Sequence, residues 1–346
     1  MQRRRVGPDD CNMLEKMSWV GDGGSHREKN MSIRIVNLEG ESIAVGFRAP
    51  SVEHEWIEYP QTRPEEIVER LTGAAVAVVN KICITAECLD QLPQLRFIAV
   101  AATGTDNVDL AACKARGIVV SNVRGYAIHT VPEHAMLLIL ALRRSLLQYV
   151  EDVRAGRWGE STNFCLFGHP VGDLHGAKVG IFGRGSLGEG VAKLASAFGA
   201  EIMYAEHRGA ETLRDGYTVF EKVLREVDVV SLHCPLTDAT HGMIGKAELE
   251  MMKPSAVLVN TSRGGLIKEQ DLADALRAGV IAGAAVDVLS QEPPVDGNPL
   301  LGNDIPNLIV TPHMAWASHQ GMRGITEQVA ANIEAFVAGK PRNRVA

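Results

Sequence analysis

The chain has 346 residues, 46% of them hydrophobic, and is long enough to bury the cores of two ordinary domains. Its formal net charge of −7 gives no electrostatic reason to bind nucleic acid or an anionic membrane, so we expect a small molecule or another protein as partner. The six cysteines form no Cys-x-x-Cys pair or cysteine–histidine cluster, which predicts no metal site and a reduced, cytoplasmic protein. The longest apolar run, residues 135–142, is too short to span a membrane.

Residues 1–30 contain no periodic apolar pattern, secretory hydrophobic segment or motif, and we predict a disordered and dispensable N-terminal extension. Short β-rich runs follow at residues 33–36, 76–79 and 97–100, separated by helical stretches. A polar turn at residues 102–109 follows the third run, where open α/β sheets place ligand-binding loops. Taken alone, an ordinary structural turn fits that segment equally well.

Residues 130–133 match a capping box, with Pro132 in the first turn of a predicted helix. Apolar residues occupy nearly the whole circumference of this helix, which is typical of a helix buried between packed layers. We interpret it as the crossover between two domains.

A strand, a glycine turn, a helix and a second strand are predicted between residues 178 and 206. The glycine turn consists of Gly183, Arg184, Gly185, Ser186, Leu187 and Gly188. Its G-x-G-x-x-G spacing permits a tight turn, close approach of a pyrophosphate and packing of the helix on the strand. The spacing alone is weak evidence for a dinucleotide site. Gly199 near the helix end and Glu206, about 20 residues after the glycine turn, complete the dinucleotide-binding pattern.

Four further apolar runs, at residues 227–232, 256–260, 282–287 and 308–310, are typical of parallel strands covered on both faces. Polar residues follow each run, and they include His233, Thr261, Ser262, Arg263, Asp287, Glu292, Thr311 and His313. The carboxyl ends of strands in a doubly wound sheet meet at one edge, so we predict the chemistry there. An amphipathic last helix ends near Gly339.

Three of these residues suit redox chemistry on a hydroxy or keto acid. Arg263 offers a planar fork for a carboxylate and a carbonyl oxygen. Histidine is the residue type whose ordinary pKa lies near neutral pH, and Glu292 beside His313 would fix its tautomer. Taken singly, a surface arginine, a capping histidine and a solvated glutamate are the simpler interpretations, but their shared position at strand ends favours catalysis.

Together these motifs resemble the D-isomer-specific 2-hydroxyacid dehydrogenase family over roughly residues 33–345. The resemblance rests on residues 104–109, 183–188, 260–264, 287–293 and 311–316. It implies that Arg263 binds the substrate, that His313 is the general acid/base and that Glu292 is its partner. It also implies that backbone amides near Thr103 and Gly104 hold the substrate carboxylate.

The same resemblance implies a set of cofactor-binding residues, with Asp287 facing the nicotinamide carboxamide. The set comprises Gly183, Arg184, Gly185, Ser186, Leu187, Gly188, Glu206, His233, Cys234, Pro235, Thr240, Thr261, Ser262, Arg263, Asp287 and His313. Glu206 predicts a preference for NAD(H), since its carboxylate would accept hydrogen bonds from the ribose hydroxyls and repel a 2′-phosphate. His207 and Arg208 leave NADP(H) open.

The implied fold is α/β, with two doubly wound, Rossmann-like parallel-sheet domains and the active-site cleft between them. We expect a substrate domain of residues 31–130 plus 313–346, an NAD-binding domain of residues 131–312, and a homodimer with the helix after Pro132 near its two-fold axis. The pattern is most similar to the branch acting on glycerate and hydroxypyruvate, which implies a short, polar 2-keto acid such as hydroxypyruvate or glyoxylate.

Trp316 is expected to close the cleft, because it lies one turn after His313 if a helix begins there. Packing between the domains is an equally good interpretation of this tryptophan. A binding protein is the alternative to an enzyme, because corepressors of this superfamily keep the fold and use the dinucleotide as a conformational sensor. The motifs do not separate the two.

Overall fold

The computed structural model describes residues 32–346, so the predicted extension at residues 1–30 lies outside the described residues. Neighbouring strands in both sheets run parallel throughout. The strands are β1 (Ile33–Asn37), β2 (His54–Glu58), β3 (Val76–Val79), β4 (Phe97–Val100), β5 (Val119–Ser121), β6 (Lys178–Phe182), β7 (Glu201–Ala205), β8 (Tyr217–Thr218), β9 (Val229–Leu232), β10 (Val257–Asn260), β11 (Gly283–Val286) and β12 (Leu308–Val310). The α-helices are α1 (Ile67–Leu71), α2 (Ala86–Asp90), α3 (Leu110–Ala115), α4 (Thr130–Arg143), α5 (Leu146–Arg154), α6 (Ser186–Ala197), α7 (Phe220–Glu226), α8 (Lys246–Met251), α9 (Glu269–Arg277) and α10 (His319–Val337).

The first sheet has five strands in the order β2-β1-β3-β4-β5. Its strand order reverses between β1 and β3, the kind of position where doubly wound sheets bind ligands. Helix α10 returns from the far end of the chain and packs Ile325, Val329 and Ile333 against one face of this sheet. Phe336 of α10 stacks on Phe97 of β4 with ring centroids 4.5 Å apart. Both ends of the described chain therefore contribute to this unit.

The second sheet has seven strands in the order β12-β11-β10-β9-β6-β7-β8, and its order reverses between β6 and β9. Helix α4 packs Ile139 and other apolar residues against one face of this sheet. The predicted burial of α4 is confirmed for most of the helix, although Leu137 is 56% exposed. The two-domain α/β fold predicted from the sequence is thus confirmed, and both switch points lie at carboxyl edges of parallel strands.

The predicted capping box at residues 130–133 is wrong. Helix α4 has His129 as its N-cap residue, without a side-chain capping hydrogen bond. The Thr130 hydroxyl instead donates to the carbonyl oxygen of Ala315, 3.0 Å away, and so ties α4 to the segment that precedes α10. The Thr130 hydroxyl therefore makes a tertiary hydrogen bond instead of the capping hydrogen bond that the local sequence predicted.

Candidate active site

The carboxyl edges of the two sheets face one cavity of about 220 Å³. The first sheet contributes the residues after β3 and β4, and the second sheet contributes those after β6, β10, β11 and β12. Ten predicted site residues line it, namely Thr103, Gly104, Ser186, Leu187, Thr261, Ser262, Arg263, Asp287, His313 and Trp316. The cavity therefore joins the predicted substrate residues to part of the predicted cofactor set.

The glycine turn between β6 and α6 leaves the close approach that a pyrophosphate needs. Gly183 has φ of 108°, and a Cβ there would lie 2.5 Å from the backbone nitrogen of Cys234. A Cβ on Gly188 would lie 2.1 Å from the carbonyl oxygen of Gly183, whereas one on Gly185 would face open space. The turn is thus packed on one side and open on the other, above the amino end of α6, which fits a dinucleotide diphosphate.

Arg184 in this turn is held by neighbouring side chains. Its guanidinium donates to Glu189, with Nε 2.5 Å from Oε1, and lies over the ring of Tyr204. It covers the outer face of β7 beside the turn.

His313 is fixed by both its side chain and its backbone. Its Nδ1 lies 2.5 Å from Oε2 of Glu292, and its backbone N–H donates to the carbonyl oxygen of Asp287 at 2.7 Å. Burial alone would raise the pKa of Glu292, but hydrogen bonds from His313 and from the Leu289 amide outweigh burial and lower it. Glu292 is therefore a carboxylate that orients the imidazole.

Asp287 is buried and supports the segment that carries His313. One carboxylate oxygen accepts from the Met314 N–H at 2.9 Å and from the Thr311 hydroxyl, and the other accepts from the Ala315 N–H at 2.8 Å. The predicted contact of Asp287 with a nicotinamide carboxamide stays a prediction. What the structure gives the side chain is a positioning role.

Arg263 reaches across the cleft from the end of β10. Its Nη1 donates to the Ser262 carbonyl oxygen at 2.8 Å, and its Nη2 would lie only 3.0 Å from a Cβ on Gly104. Glycine at position 104 therefore lets the guanidinium meet the backbone of the opposite sheet. The hydroxyl of neighbouring Thr103 donates to the Val123 carbonyl oxygen at 3.1 Å, which fixes the backbone there.

Glu206 is buried and already fully engaged. The Arg214 guanidinium binds both carboxylate oxygens, with Nη2 to Oε1 at 2.6 Å and Nε to Oε2 at 2.8 Å, and the backbone amides of His207 and Arg214 donate as well. Hydrogen bonds from Arg214 lower the pKa of Glu206 to about 2. Sequence reasoning placed this acid correctly at the end of β7 but missed Arg214, eight residues away along the chain.

The loop after β9 adjoins the glycine turn. His233 accepts or donates one hydrogen bond with the Ser231 hydroxyl at 2.8 Å, while its Nδ1 is buried without a partner among the described residues. Burial lowers the pKa of His233 to about 4, so the ring is neutral at physiological pH. The Thr261 hydroxyl is likewise buried and unpartnered within residues 32–346. Unpaired polar atoms beside the glycine turn are consistent with a bound polar group.

The remaining predicted cofactor residues have internal roles. The Ser262 hydroxyl donates to the Cys234 carbonyl oxygen at 2.7 Å, which links the ends of β10 and β9. The Thr240 hydroxyl donates to the Pro235 carbonyl oxygen at 2.7 Å and closes the loop between them. These contacts hold together the loops that follow β9 and β10.

Trp316 does not lie on a helix with His313, because α10 begins only at His319. It occupies a turn, is half-buried, and packs edge-to-face against Tyr126 with ring centroids 6.4 Å apart. It also touches the apolar core between α10 and the first sheet. The ring thus lines the cavity and packs within the first domain rather than between the domains, and closure of the cleft by Trp316 stays a prediction.

Sequence reasoning missed Asn80 and Lys81, which line the cavity directly after β3. The carboxylate of Glu39, after β1, accepts from three consecutive backbone amides, those of Asn80, Lys81 and Ile82, at 2.6 to 3.0 Å. The signal that located the other residues, a polar residue at the carboxyl end of a buried strand, was present here too.

Within residues 32–346 there is no cluster of three or more histidine, cysteine or acidic side chains suited to hold a metal ion. The same part of the chain has no helix of the length and apolarity that a bilayer crossing requires.

Comparison with known proteins places this site in a family. Residues 136–315 match the model of the D-isomer specific 2-hydroxyacid dehydrogenase NAD-binding domain. A glycerate dehydrogenase from Methylorubrum extorquens is 49% identical over 316 residues, covering 91% of this chain and 99% of the relative. A hydroxypyruvate reductase from Blautia hydrogenotrophica is 33% identical over 90% of this chain and 99% of its own length.

A solved structure of an NADPH-dependent glyoxylate/hydroxypyruvate reductase from Sinorhizobium meliloti superimposes with a TM-score of 0.77 at 29% identity. It covers 91% of this chain and 98% of its own. The chain belongs to the D-isomer specific 2-hydroxyacid dehydrogenase family. It is an NAD-binding oxidoreductase of the 2-hydroxyacid class.

Proposed function

We propose that this protein transfers a hydride between NAD(H) and C2 of a short 2-keto or 2-hydroxy acid, with His313 as the general acid/base. The observation that carries the proposal is the His313–Glu292 pair facing Arg263 in one cavity beside the glycine turn. The dinucleotide, when bound, supplies or accepts the hydride. Similarity to a glycerate dehydrogenase and a hydroxypyruvate reductase supports a small substrate.

Arg263 binds the substrate carboxylate and the C2 oxygen through its planar guanidinium. The backbone amides around Thr103 and Gly104 meet the carboxylate from the opposite sheet, so the acid is held between the two domains. His313 donates its proton to the C2 oxygen during reduction and removes the hydroxyl proton during oxidation. Because Glu292 occupies Nδ1, the nitrogen left for this transfer is Nε2.

The cofactor preference follows from Glu206 and its partner. A carboxylate at the end of β7 favours NAD(H), and this preference stays a prediction. However, Arg214 neutralises that carboxylate and occupies both of its oxygens, while its own side chain remains 51% exposed. We therefore expect only modest discrimination against NADP(H). The NADPH dependence of the Sinorhizobium relative is compatible with this expectation.

The proposal also covers the domain boundaries, the cellular location and the oligomeric state of the protein. We assign residues 31–130 plus 313–346 to the substrate domain and residues 131–312 to the NAD-binding domain, and we expect a cytoplasmic homodimer. The packing of α10 on the first sheet and of α4 on the second supports these boundaries.

The test is oxidation of NADH and NADPH with hydroxypyruvate, glyoxylate, pyruvate, phenylpyruvate and 2-ketoisocaproate. We expect the highest kcat/KM with hydroxypyruvate or glyoxylate. Faster turnover of phenylpyruvate or 2-ketoisocaproate would overturn the assignment to small acids. Dinucleotide binding without turnover of any acid would favour the corepressor-like binding protein instead.

A further inference from the structure

Lys81 is a cation in the active-site cavity that the proposed chemistry does not use. It follows β3, at the point where the strand order of the first sheet reverses, and lines the same cavity as Arg263 and His313. No hydrogen-bond acceptor or ion-pair partner for its ammonium occurs within residues 32–346. The group is thus a free donor in a ligand cavity.

The backbone that presents Lys81 is held tightly. The carboxylate of Glu39 accepts from the Lys81 N–H at 2.9 Å and from the flanking amides of Asn80 and Ile82 at 2.6 and 3.0 Å. Glu39 in turn sits on β1's carboxyl end, where its own N–H donates to the Asn37 side chain at 3.2 Å. This network joins the two loops of the switch point and fixes where the lysine side chain begins.

The charges around Lys81 are mixed. Desolvation in the cleft lowers the pKa of Lys81, and the nearby positive charge of Arg263 lowers it further. Glu292, Glu39 and Asp106 act in the opposite direction. Lys81 is nevertheless exposed, so its ammonium is free to make a charge-assisted hydrogen bond to an electron-rich ligand atom.

The two ends of a small 2-keto acid are already assigned. Arg263 and the amides near Gly104 take the carboxylate, and His313 with Arg263 takes the C2 oxygen. The substituent on C3 is then the part of the substrate left for Lys81, which lines the cavity from the first sheet. We propose that Lys81 is a specificity-determining residue that donates a hydrogen bond to a C3 hydroxyl oxygen and so selects 3-hydroxylated over plain 2-keto acids.

This inference rests on the proposed function, and it is tested by comparing hydroxypyruvate with pyruvate, which lacks only that hydroxyl. In Lys81→Met the ratio of kcat/KM for hydroxypyruvate to that for pyruvate should fall by about 10-fold or more, because a charge-assisted hydrogen bond is lost. Lys81→Arg keeps a cation and should keep more of the ratio. Lys114→Met, at an exposed position of α3 outside the cavity, is the matched control and should leave both constants unchanged.

A ratio in Lys81→Met within about threefold of the wild-type ratio would overturn the inference, since that range lies below the loss of one charged hydrogen bond. If the kcat/KM values for hydroxypyruvate and pyruvate both fell by the same factor, Lys81 would contact a group that the two acids share, such as the carboxylate. If neither value fell, Lys81 would make no important contact with the substrate. Either result excludes the contact with the C3 hydroxyl. Circular dichroism and thermal melting establish that each variant is folded. Failure of the wild type to reduce either acid would overturn the proposed function itself, and is seen before any variant is measured.

Discussion

His313 has a left-handed backbone, with φ of 51°, which a non-glycine residue adopts at a cost in free energy. The Asp287 carbonyl oxygen accepts its N–H, and the Asp287 carboxylate holds the two following amides. Glu292 then fixes the ring. The imidazole is therefore positioned by contacts made before any substrate arrives.

His313→Ala should lower kcat by about 100-fold or more, as expected for loss of a general acid/base, while the Kd for NADH from fluorescence titration changes little. His319→Ala, at the exposed start of α10, serves as the control. Near wild-type turnover by a folded His313→Ala protein would remove the histidine from the mechanism.

Arg214→Ala should shift cofactor choice towards NADH. Removing the guanidinium frees the Glu206 carboxylate to accept from ribose hydroxyls and to repel a 2′-phosphate. We expect the ratio of Kd for NADPH to Kd for NADH to rise by about 10-fold, measured by fluorescence quenching or calorimetry. Arg225→Ala, at an exposed position of α7, should leave the ratio unchanged. An unaltered ratio in Arg214→Ala would show that Arg214 does not govern the choice.

His233 makes stability depend on pH. The unfolded chain takes up this proton below about pH 6.5, whereas burial delays uptake in the folded protein to about pH 4. The unfolded state thus binds more protons between these values, so stability is full above pH 6.5 and falls as the pH drops towards 4, by roughly 3 kcal/mol at most. Urea unfolding across this range should show a flatter pH dependence for His233→Gln. Equal slopes for both proteins would contradict the neutral, buried ring.

At the scale of elements, different glycines of the turn between β6 and α6 are needed for packing and for ligand binding. Gly188 is packed against the Gly183 carbonyl, whereas Gly185 faces open space with a φ of −94° that any residue adopts. Gly188 is therefore required for packing, whereas Gly185 keeps space open for a ligand.

Gly188→Ala should destabilise the fold by about 2–4 kcal/mol in urea unfolding, because the methyl group would overlap the carbonyl oxygen. Gly185→Ala should melt close to the wild-type temperature and yet bind NADH more weakly, because the methyl group would enter the space open to the diphosphate. Unchanged NADH affinity in Gly185→Ala would place the diphosphate elsewhere.

Most elements could be predicted because buried parallel strands are continuously apolar and stand out in the sequence. β3, β4 and β12 were located at their observed bounds for that reason. β2 (His54–Glu58) was missed because it is a polar strand at the edge of the first sheet, and β8 has only two residues. Such strands form because a neighbouring strand offers hydrogen-bonding groups. The local sequence pattern does not predict that neighbour.

At the scale of the whole molecule, exposed apolar side chains concentrate on one stretch of chain. They are Leu137, Leu146, Leu147, Val153, Trp158, Phe164 and Phe167, which we call the apolar arm. Phe164 is 92% exposed, and the Trp158 indole donates to its carbonyl oxygen at 3.1 Å. Large exposed apolar groups of this kind mark interaction surfaces.

We expect the apolar arm to be covered by a second copy of the chain. Sedimentation at micromolar concentration should give a dimer for the wild type and a monomer for the Trp158→Asp/Phe164→Asp double variant. Val295→Asp alters another exposed apolar residue outside the arm and should remain dimeric. A monomeric wild type would reject the homodimer.

The sequence by itself located most of the buried strands, the glycine turn and the candidate catalytic trio of Arg263, Glu292 and His313, because each depends on a local pattern or on the polar residue that ends a buried strand. Tertiary structure alone decided how those residues are used. Arg214 reaches Glu206, Glu39 gathers the amides around Lys81, and Thr130 binds Ala315 rather than its own helix end. In each case the competing partner is distant in sequence or lies in backbone whose direction is set by packing, so that only the folded chain brings the two groups within hydrogen-bonding distance.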